Sequence, residues 1–235
     1  MTTTHRVPTA LVLAILVVSG SACRGRDSNG AAAKPVADAA PPKPKLVRVA
    51  AAGEWLADVE KSKLSLAMVR DHDMASPVLA TMVLHDGRLN LDANGAPAVR
   101  LSFDLNTFDS GIPMRNERVE KFFFESTVAG WGIAELVVAK LPEAALTALR
   151  EKRRATHVPV DGELSLHGQK AAVHATVDAF YGPTGTLTVS SAGPFEVKVS
   201  DFKMTDNLKR LSSICLHESI EDIVKGELVV EFPAP

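Results

Sequence analysis

The sequence has few of the residues that mark a cross-linked or strongly charged protein. It contains 2 cysteines in 235 residues, and aromatic residues make up 5% of it, so a small domain held together by a disulfide framework is excluded. Lysine and arginine (26) nearly balance aspartate and glutamate (28). Without a basic excess or a block of about five or six like charges, nothing predicts binding to DNA or RNA.

The sequence also lacks a hydrophobic run long enough to span a membrane. The apolar run at residues 10–18 stops well short of the ~20 residues that a spanning helix needs. It follows His5 and Arg6 and gives way to small residues before Cys23, which is the order of a secretory signal peptide. Residues 20–23, Gly-Ser-Ala-Cys, resemble a bacterial lipobox, with glycine where leucine is usual. We expect a signal peptide at 1–22 and a lipid on Cys23; the alternative is an ordinary cleavage site with an incidental cysteine.

Residues 23–46 are rich in alanine, proline, glycine and lysine and are predicted to be a flexible tether. A domain at 47–235 would then stand off a membrane surface in the bacterial cell envelope, on the periplasmic face. Arg24, rather than aspartate, follows the cysteine and slightly favours the outer membrane.

From about Gly53 onward the apolar residues alternate with polar ones, as in half-buried strands. The alternation is strict from Val99 to Leu105, and it recurs at residues 173–179, 195–199 and 228–232, where Val229 breaks it. Asp86-Gly87 and Asn94-Gly95 are typical hairpin turns, and His167-Gly168 is a further break. Short strands at this spacing predict an antiparallel sandwich or barrel.

Helical segments are predicted at residues 116–124, 142–153 and 206–212. If residues 115–125 are helical, Val119, Phe122 and Phe123 fall at i, i+3 and i+4 and form one apolar face. We expect this short helix to cap one end of a barrel.

Three segments resemble the YceI family. Residues 103–125 are similar to that family's strand, Ser/Thr turn, short helix and Phe-Phe sequence, with Asn116 where aspartate is usual and Arg118 where histidine is usual. VDGELSLHG (160–168) resembles its Gly-x-Leu-Thr-Leu-His-Gly strand, and FEVKVSDFKM (195–204) a later strand. The resemblance implies an all-β, antiparallel lipocalin-like β-barrel, here with one or two short capping helices, in a periplasmic or secreted protein that holds a polyisoprenoid chain.

An eight-stranded barrel has room inside for packed side chains or for one slender ligand. Plain core packing is the alternative for every inward residue. The candidate ligand-binding residues are Leu101, Phe103, Leu105, Phe122, Phe123, Leu164, Leu166, Val173, Val177, Leu187, Phe195 and Val197.

Signs of catalysis or of a metal site are weak. His157, His167 and His174 have no partner residues at ligand spacing, so we expect no enzyme, no metal and no cofactor other than a bound polyisoprenoid or other lipid. His167 is predicted to be a turn residue hydrogen-bonded to backbone. Cys215 is predicted to be a small buried hydrophobe; the alternative is a disulfide with Cys23.

The sequence therefore predicts a membrane-tethered periplasmic carrier, with an apolar lipid-like ligand and the membrane as its partners and without nucleic acid. The alternative is a solid barrel that acts as an interaction domain or as a structural domain in the envelope stress response. For that alternative the basic run at residues 150–154 is the candidate contact patch.

Overall fold

The computed structural model describes residues 53–91 and 98–235. The predicted signal peptide, the tether, Cys23 and the Asn94-Gly95 turn lie outside these residues. The strands are β1 (Glu54–Leu56), β2 (Lys63–Arg70), β3 (Val78–Asn90), β4 (Val99–Asp104), β5 (Ile133–Val138), β6 (Arg154–Leu166), β7 (Gln169–Tyr181), β8 (Leu187–Ser191), β9 (Phe195–Lys198) and β10 (Ile220–Phe232).

Apart from 3₁₀ turns at Leu105–Thr107 and Val199–Phe202, three short helices join these strands in the described part of the chain. They are α1 (Pro113–Arg118), which continues into a π-helical turn at Val119–Phe124, α2 (Glu143–Lys152) and α3 (Thr205–Cys215). A helix is thus present at each of the three predicted segments.

The sheet closes on itself. Antiparallel pairing runs β3–β2–β10–β8–β7–β6–β5–β4, and β4 pairs again with β3. The closure depends on β3, whose first half pairs with β2 and whose second half pairs with β4. The predicted all-β, lipocalin-like antiparallel barrel is therefore confirmed, and it leaves one face of an eight-stranded sheet turned inward.

The Asp86-Gly87 pair does not form a hairpin, so that prediction is wrong. Both residues lie inside β3, where the register with β4 shifts between Leu84 and Asp86. Such a bulge bends a strand and increases its twist, which suits the point where β3 leaves β2 for β4. Glycine is needed there for space, because a Cβ on Gly87 would lie 2.7 Å from the Cβ of Ala57.

The His167-Gly168 pair does form a turn. It joins β6 directly to β7, and both residues have positive φ, 52° and 72°. That geometry belongs to the two-residue hairpin turns whose twist matches the flanking strands.

The barrel wall has a slit beside β9. β8 ends at Ser191, and the pairing of β7 with β8 covers only Val177–Tyr181. In the described part of the chain β9 pairs with β10 alone. The first half of β7 and β9 therefore face each other without a ladder of backbone hydrogen bonds.

Cys215 differs from its prediction. It is a free thiol at the end of α3 and only half-buried, with its sulfur 3.9 Å from Nη1 of Arg118. Its alternative partner, Cys23, lies outside the described residues. Within the described ranges no helix is both long and apolar enough to cross a membrane.

Thr107 links β3 to β4, the strand pair that closes the barrel. The N–H of Val83 donates to Oγ1 of Thr107 at 2.9 Å, and that hydroxyl donates to the carbonyl of Asp104 at 2.6 Å.

Thr107→Val keeps the shape of the side chain and removes both bonds, so we expect a loss of about 1 kcal/mol in the free energy of unfolding. Chemical denaturation measures it. Thr147→Val, an exposed change on α2, is the control; equal losses in the two variants would contradict a closing role for Thr107.

Candidate binding site inside the barrel

The described residues of the barrel enclose an apolar cavity at each end. The α2 chamber has a volume of about 120 Å³ and lies beneath α2. The π-turn chamber has a volume of about 110 Å³ and lies beneath the π-helical turn. Strands supply most of the lining because their alternate residues all face inward.

The lining contains almost no polar group. Every residue that lines the π-turn chamber is apolar. In the α2 chamber Ser191 is the one polar exception among the described lining residues, and its Oγ already accepts a hydrogen bond from the N–H of Leu228 at 3.0 Å. Among the described lining residues there is no charged side chain and one hydroxyl, that of Ser191, so both chambers suit hydrocarbon.

A waist separates the two chambers. Four residues line both of them: Leu136, Val173, Phe195 and Leu228. They come from four strands, β5, β7, β9 and β10. The interior is thus one apolar column that side chains narrow at its middle.

Helix α2 closes the end of the α2 chamber. Ala145, Leu146 and Leu149 of the helix line the chamber at a spacing of one helical turn, so one face of the helix is turned inward. Leu141, just before the helix, lines the chamber as well. The helix ends at Arg153, which has a φ of 56° and whose guanidinium lies 5.0 Å from the ring centre of Tyr181. The sequence predicted this helix but gave it no place at the site.

The π-helical turn closes the other end, and its hydrogen bonding decides which phenylalanines face inward. Val119, Phe123 and Phe124 are buried and line the π-turn chamber. Their spacing of i, i+4 and i+5 is that of a π-helix rather than an α-helix.

Phe122 is consequently misplaced in the predicted i, i+3, i+4 face, since it lines neither chamber. Its ring lies outside, 4.7 Å from the guanidinium carbon of Arg210 and 5.4 Å from Nζ of Lys121. Two cations over one ring give Phe122 a role in packing this lid against α3.

Glu125 ties the π-helical turn to the rest of the barrel. It has a φ of 48° and ends the turn. One carboxylate oxygen lies 3.1 Å from Nε2 of His167 and 3.2 Å from Nδ2 of Asn207, and the other lies 3.7 Å from Nη1 of Arg210. Nδ2 of Asn207 also donates to the carbonyl of Phe123 at 2.9 Å. The lid is therefore attached to both α3 and the β6–β7 turn.

His167 occupies the predicted turn, but its side chain does not bond to backbone as expected. It faces the Glu125 carboxylate, and its ring lies 3.8 Å from the ring of Trp131. His157 and His174 are exposed on the outside of the barrel, where their Nδ1 atoms lie 3.7 Å from Asp178 and 2.7 Å from Asp161. Across the described residues no group of three histidine, cysteine or acidic side chains is placed to hold a metal ion.

The structure brings most of the candidate ligand-binding residues together. Leu101, Val177 and Leu187 line the α2 chamber, and Val173 and Phe195 line both. The π-turn chamber holds the rest apart from Phe122: Phe103, Leu105, Phe123, Leu164, Leu166 and Val197. Contact of these residues with a ligand stays a prediction.

Sequence reasoning missed several lining residues that turns contribute. Phe124 ends the π-helical turn, Phe108 precedes α1, and Phe202 and Met204 follow β9. Because they lie outside regular strands, no alternation marks them. The adjacent phenylalanines at 122–124 were the one local signal for Phe124.

Comparison with known proteins identifies the family. The sequence profile of the YceI-like domain matches residues 55–232. The chain belongs to the YceI-like family. A search of the curated proteins found no match.

Solved structures share the YceI-like fold at low sequence identity. A polyisoprenoid binding domain from Saccharophagus degradans, implicated in plant cell wall breakdown, superposes with a TM-score of 0.63 at 21% identity, over 78% of this chain and 99% of that one. BcnA of Burkholderia cenocepacia superposes with a TM-score of 0.52 at 20% identity, over 74% of this chain and 98% of that one. These likenesses show the fold.

In this YceI-like barrel Asn116 stabilises the loop before α1, which leads into the π-helical turn. Its Oδ1 accepts from the N–H and the hydroxyl of Ser110, at 2.9 and 2.7 Å, and its Nδ2 donates to Oδ1 of Asp109 at 2.9 Å. Hydrogen bonds from the N–H of Gly111 and from Asn116 lower the pKa of Asp109. An amide suits position 116 because it can donate to one neighbour and accept from the other.

Asn116→Asp places a second carboxylate within hydrogen-bond distance of Asp109, and two such groups cannot both ionise freely. We expect the variant to melt a few degrees below the wild type at pH 7. The pair has a raised pKa in the folded state, so its penalty is largest at high pH and shrinks as the pH falls. Thermal melts between pH 7 and about 5 should show the gap to wild type narrowing.

Asn116→Ala is the control without an added charge. It removes all three hydrogen bonds of Asn116, whereas an aspartate there still accepts from Ser110 and loses only the donation to Asp109. The deficit of Asn116→Ala should stay constant over the same pH range, which lies above the pKa of an unperturbed aspartate. The same pH dependence in both variants would contradict this assignment of Asn116.

Proposed function

We propose that the protein is a carrier that holds one apolar chain, of an isoprenoid or a fatty amphiphile, along the axis of its barrel. The observation that carries the proposal is the lining of the two chambers, which is apolar apart from one serine that is already hydrogen-bonded. A guest in such a space gains from leaving water and needs no polar contact.

The energetic argument favours a chain over a compact polar molecule. Each buried CH₂ group contributes about 0.8 kcal/mol, so a hydrocarbon chain accumulates affinity along its length. A polar guest would lose its hydrogen bonds to water without replacement in this lining. The described lining residues include no acidic or basic side chain, and the proposal is one of binding alone.

The similar structures support the choice of guest. The Saccharophagus degradans domain, whose fold this chain shares, is described as polyisoprenoid binding. The two barrels are 21% identical, so the support lies in the shared architecture together with the apolar lining seen here. We therefore place isoprenoid chains first among the guests.

We further propose that the carrier works at the periplasmic face of the bacterial cell envelope, held by a lipid on Cys23. The support is the order of the N-terminal sequence, with basic residues, an apolar run and small residues before Cys23. The alanine- and proline-rich stretch after it would let the barrel reach a short distance from the membrane surface.

Filling the α2 chamber tests the proposal. Ala175 lines that chamber from β7, and Ala172 lies on the same strand with its side chain exposed. Ala175→Phe should fill the cavity and lower the affinity for farnesol at least tenfold, since it removes the space for several buried CH₂ groups. Displacement of an apolar fluorescent probe measures the affinity.

Ala172→Phe makes the same chemical change on the outer face and should bind farnesol like the wild type. Far-ultraviolet circular dichroism establishes that both variants are folded. Equal affinity in all three proteins would place the binding elsewhere. Absence of farnesol and fatty-acid binding in the wild type would favour the solid barrel with a role on its outer surface.

The membrane anchor has a separate test. The wild type, expressed with its own N-terminus in a bacterial host that lipidates proteins, should partition into the detergent phase of a Triton X-114 extraction, because acyl chains drive stable anchoring. Cys23→Ala should move it to the aqueous phase. A wild type found in the aqueous phase would contradict the lipid anchor and leave the proposal for the barrel untouched.

A further inference from the structure

Phe195 stands where three spaces meet. Among the described residues it alone lines the α2 chamber, the π-turn chamber and an open groove on the outside of the barrel. The groove has a volume of about 480 Å³ and runs along the slit between β7 and β9, over Val160 and Ala175. Phe195 therefore stands with the other waist residues between the two chambers, and with Val160 and Ala175 between the α2 chamber and the groove.

A glycine makes room for this ring. Phe195 pairs across the sheet with Gly226 of β10. A Cβ on Gly226 would lie 2.5 and 2.6 Å from ring atoms of Phe195, so no larger residue fits while the ring is in place. An aromatic ring that covers a glycine on the neighbouring strand is a recognised cross-strand arrangement.

The other three residues of the waist lie on longer strands than Phe195, of 6, 13 and 13 residues. Leu136 lies on β5, which pairs with β4 and β6 on its two sides, and Leu228 lies on β10, which pairs with β2. Phe195 starts a four-residue strand that pairs with β10 alone in the described part of the chain. Its half-buried ring can turn toward the groove by side-chain rotation, without breaking a pair of strand hydrogen bonds.

The size of the chambers gives this rotation a consequence. Each chamber, at about 120 or 110 Å³, is smaller than the roughly 150 Å³ engineered cavity that admits benzene. With the ring against Gly226, each chamber holds only a short hydrocarbon segment. With the ring turned into the groove, only Leu136, Val173 and Leu228 would narrow the column, and a longer chain could extend from one chamber into the other.

We propose that Phe195 is the residue that determines the length of guest the barrel accepts, by dividing the interior when its ring covers Gly226 and joining the two chambers when it turns outward. The proposal rests on the proposed function as a carrier. It identifies the chain length of the guest, rather than its head group, as what this residue discriminates.

The test compares Phe195→Ala with Val197→Ala. Val197 lies two residues further along the same face of β9 and lines the π-turn chamber but not the α2 chamber. Its truncation therefore enlarges one chamber and leaves the division intact. The probes are geraniol, farnesol and geranylgeraniol, which lengthen by one isoprene unit at each step. Their affinities are measured by native mass spectrometry or by probe displacement.

The measured quantity is the ratio of the affinity for geranylgeraniol to the affinity for geraniol. We expect this ratio to be roughly tenfold higher in Phe195→Ala than in the wild type, because the variant can bury about two more CH₂ groups of the longer alcohol. Val197→Ala should leave that ratio within about twofold of wild type, because it widens the π-turn chamber alone and does not join it to the α2 chamber. If Phe195→Ala does not fold, Phe195→Leu provides the same comparison with an apolar side chain retained.

The outcomes separate the two proposals. If the wild type and the variants bind these alcohols and the ratio is the same in all of them, Phe195 does not set the length and the carrier function stands. If none of the proteins binds any of the alcohols, the carrier function fails and the assignment of Phe195 fails with it.

Discussion

Closure of the sheet is the constraint on which the rest of the molecule depends. An antiparallel sheet that pairs its last strand with its first has one face that water does not reach, and every inward residue must then be apolar or hydrogen-bonded. β3 makes the closure by pairing with β2 through its first half and with β4 through its second. The bulge beside Asp86 lies at the change of partner, so a local irregularity serves the architecture of the whole barrel.

Closure leaves two open ends, and the chain covers them in different ways. Helix α2 covers one end chiefly through apolar packing, with Leu149 buried. The π-helical turn covers the other with Phe123 and Phe124, and it is held by the polar contacts of Glu125 to His167, Asn207 and Arg210. Between the lids, Phe195 narrows the column at a slit in the wall. Two lids and a narrowed middle fit the proposed role as a carrier of a slender apolar guest.

The alternation of apolar residues was enough to predict the sheet, because strands place every second side chain on one face. It also located most of the lining, from Leu101 to Val197. What it could not predict depends on hydrogen bonding that leaves no local pattern. A π-helical turn places Phe122 outside and Phe124 inside. A bulge places Asp86-Gly87 within β3, although this residue pair is typical of hairpin turns. The division by Phe195 depends on Gly226, 31 residues further along the chain, and only the closed barrel brings the two together.

The most direct test of the account is native mass spectrometry of the protein purified from its own cells in a mild detergent, followed by extraction and identification of any lipid released on unfolding. The account predicts a folded protein that carries one apolar chain in near-stoichiometric amount, retained after exchange into detergent-free buffer. A folded protein that is consistently empty, and that stays empty after incubation with isoprenoid alcohols, would contradict it.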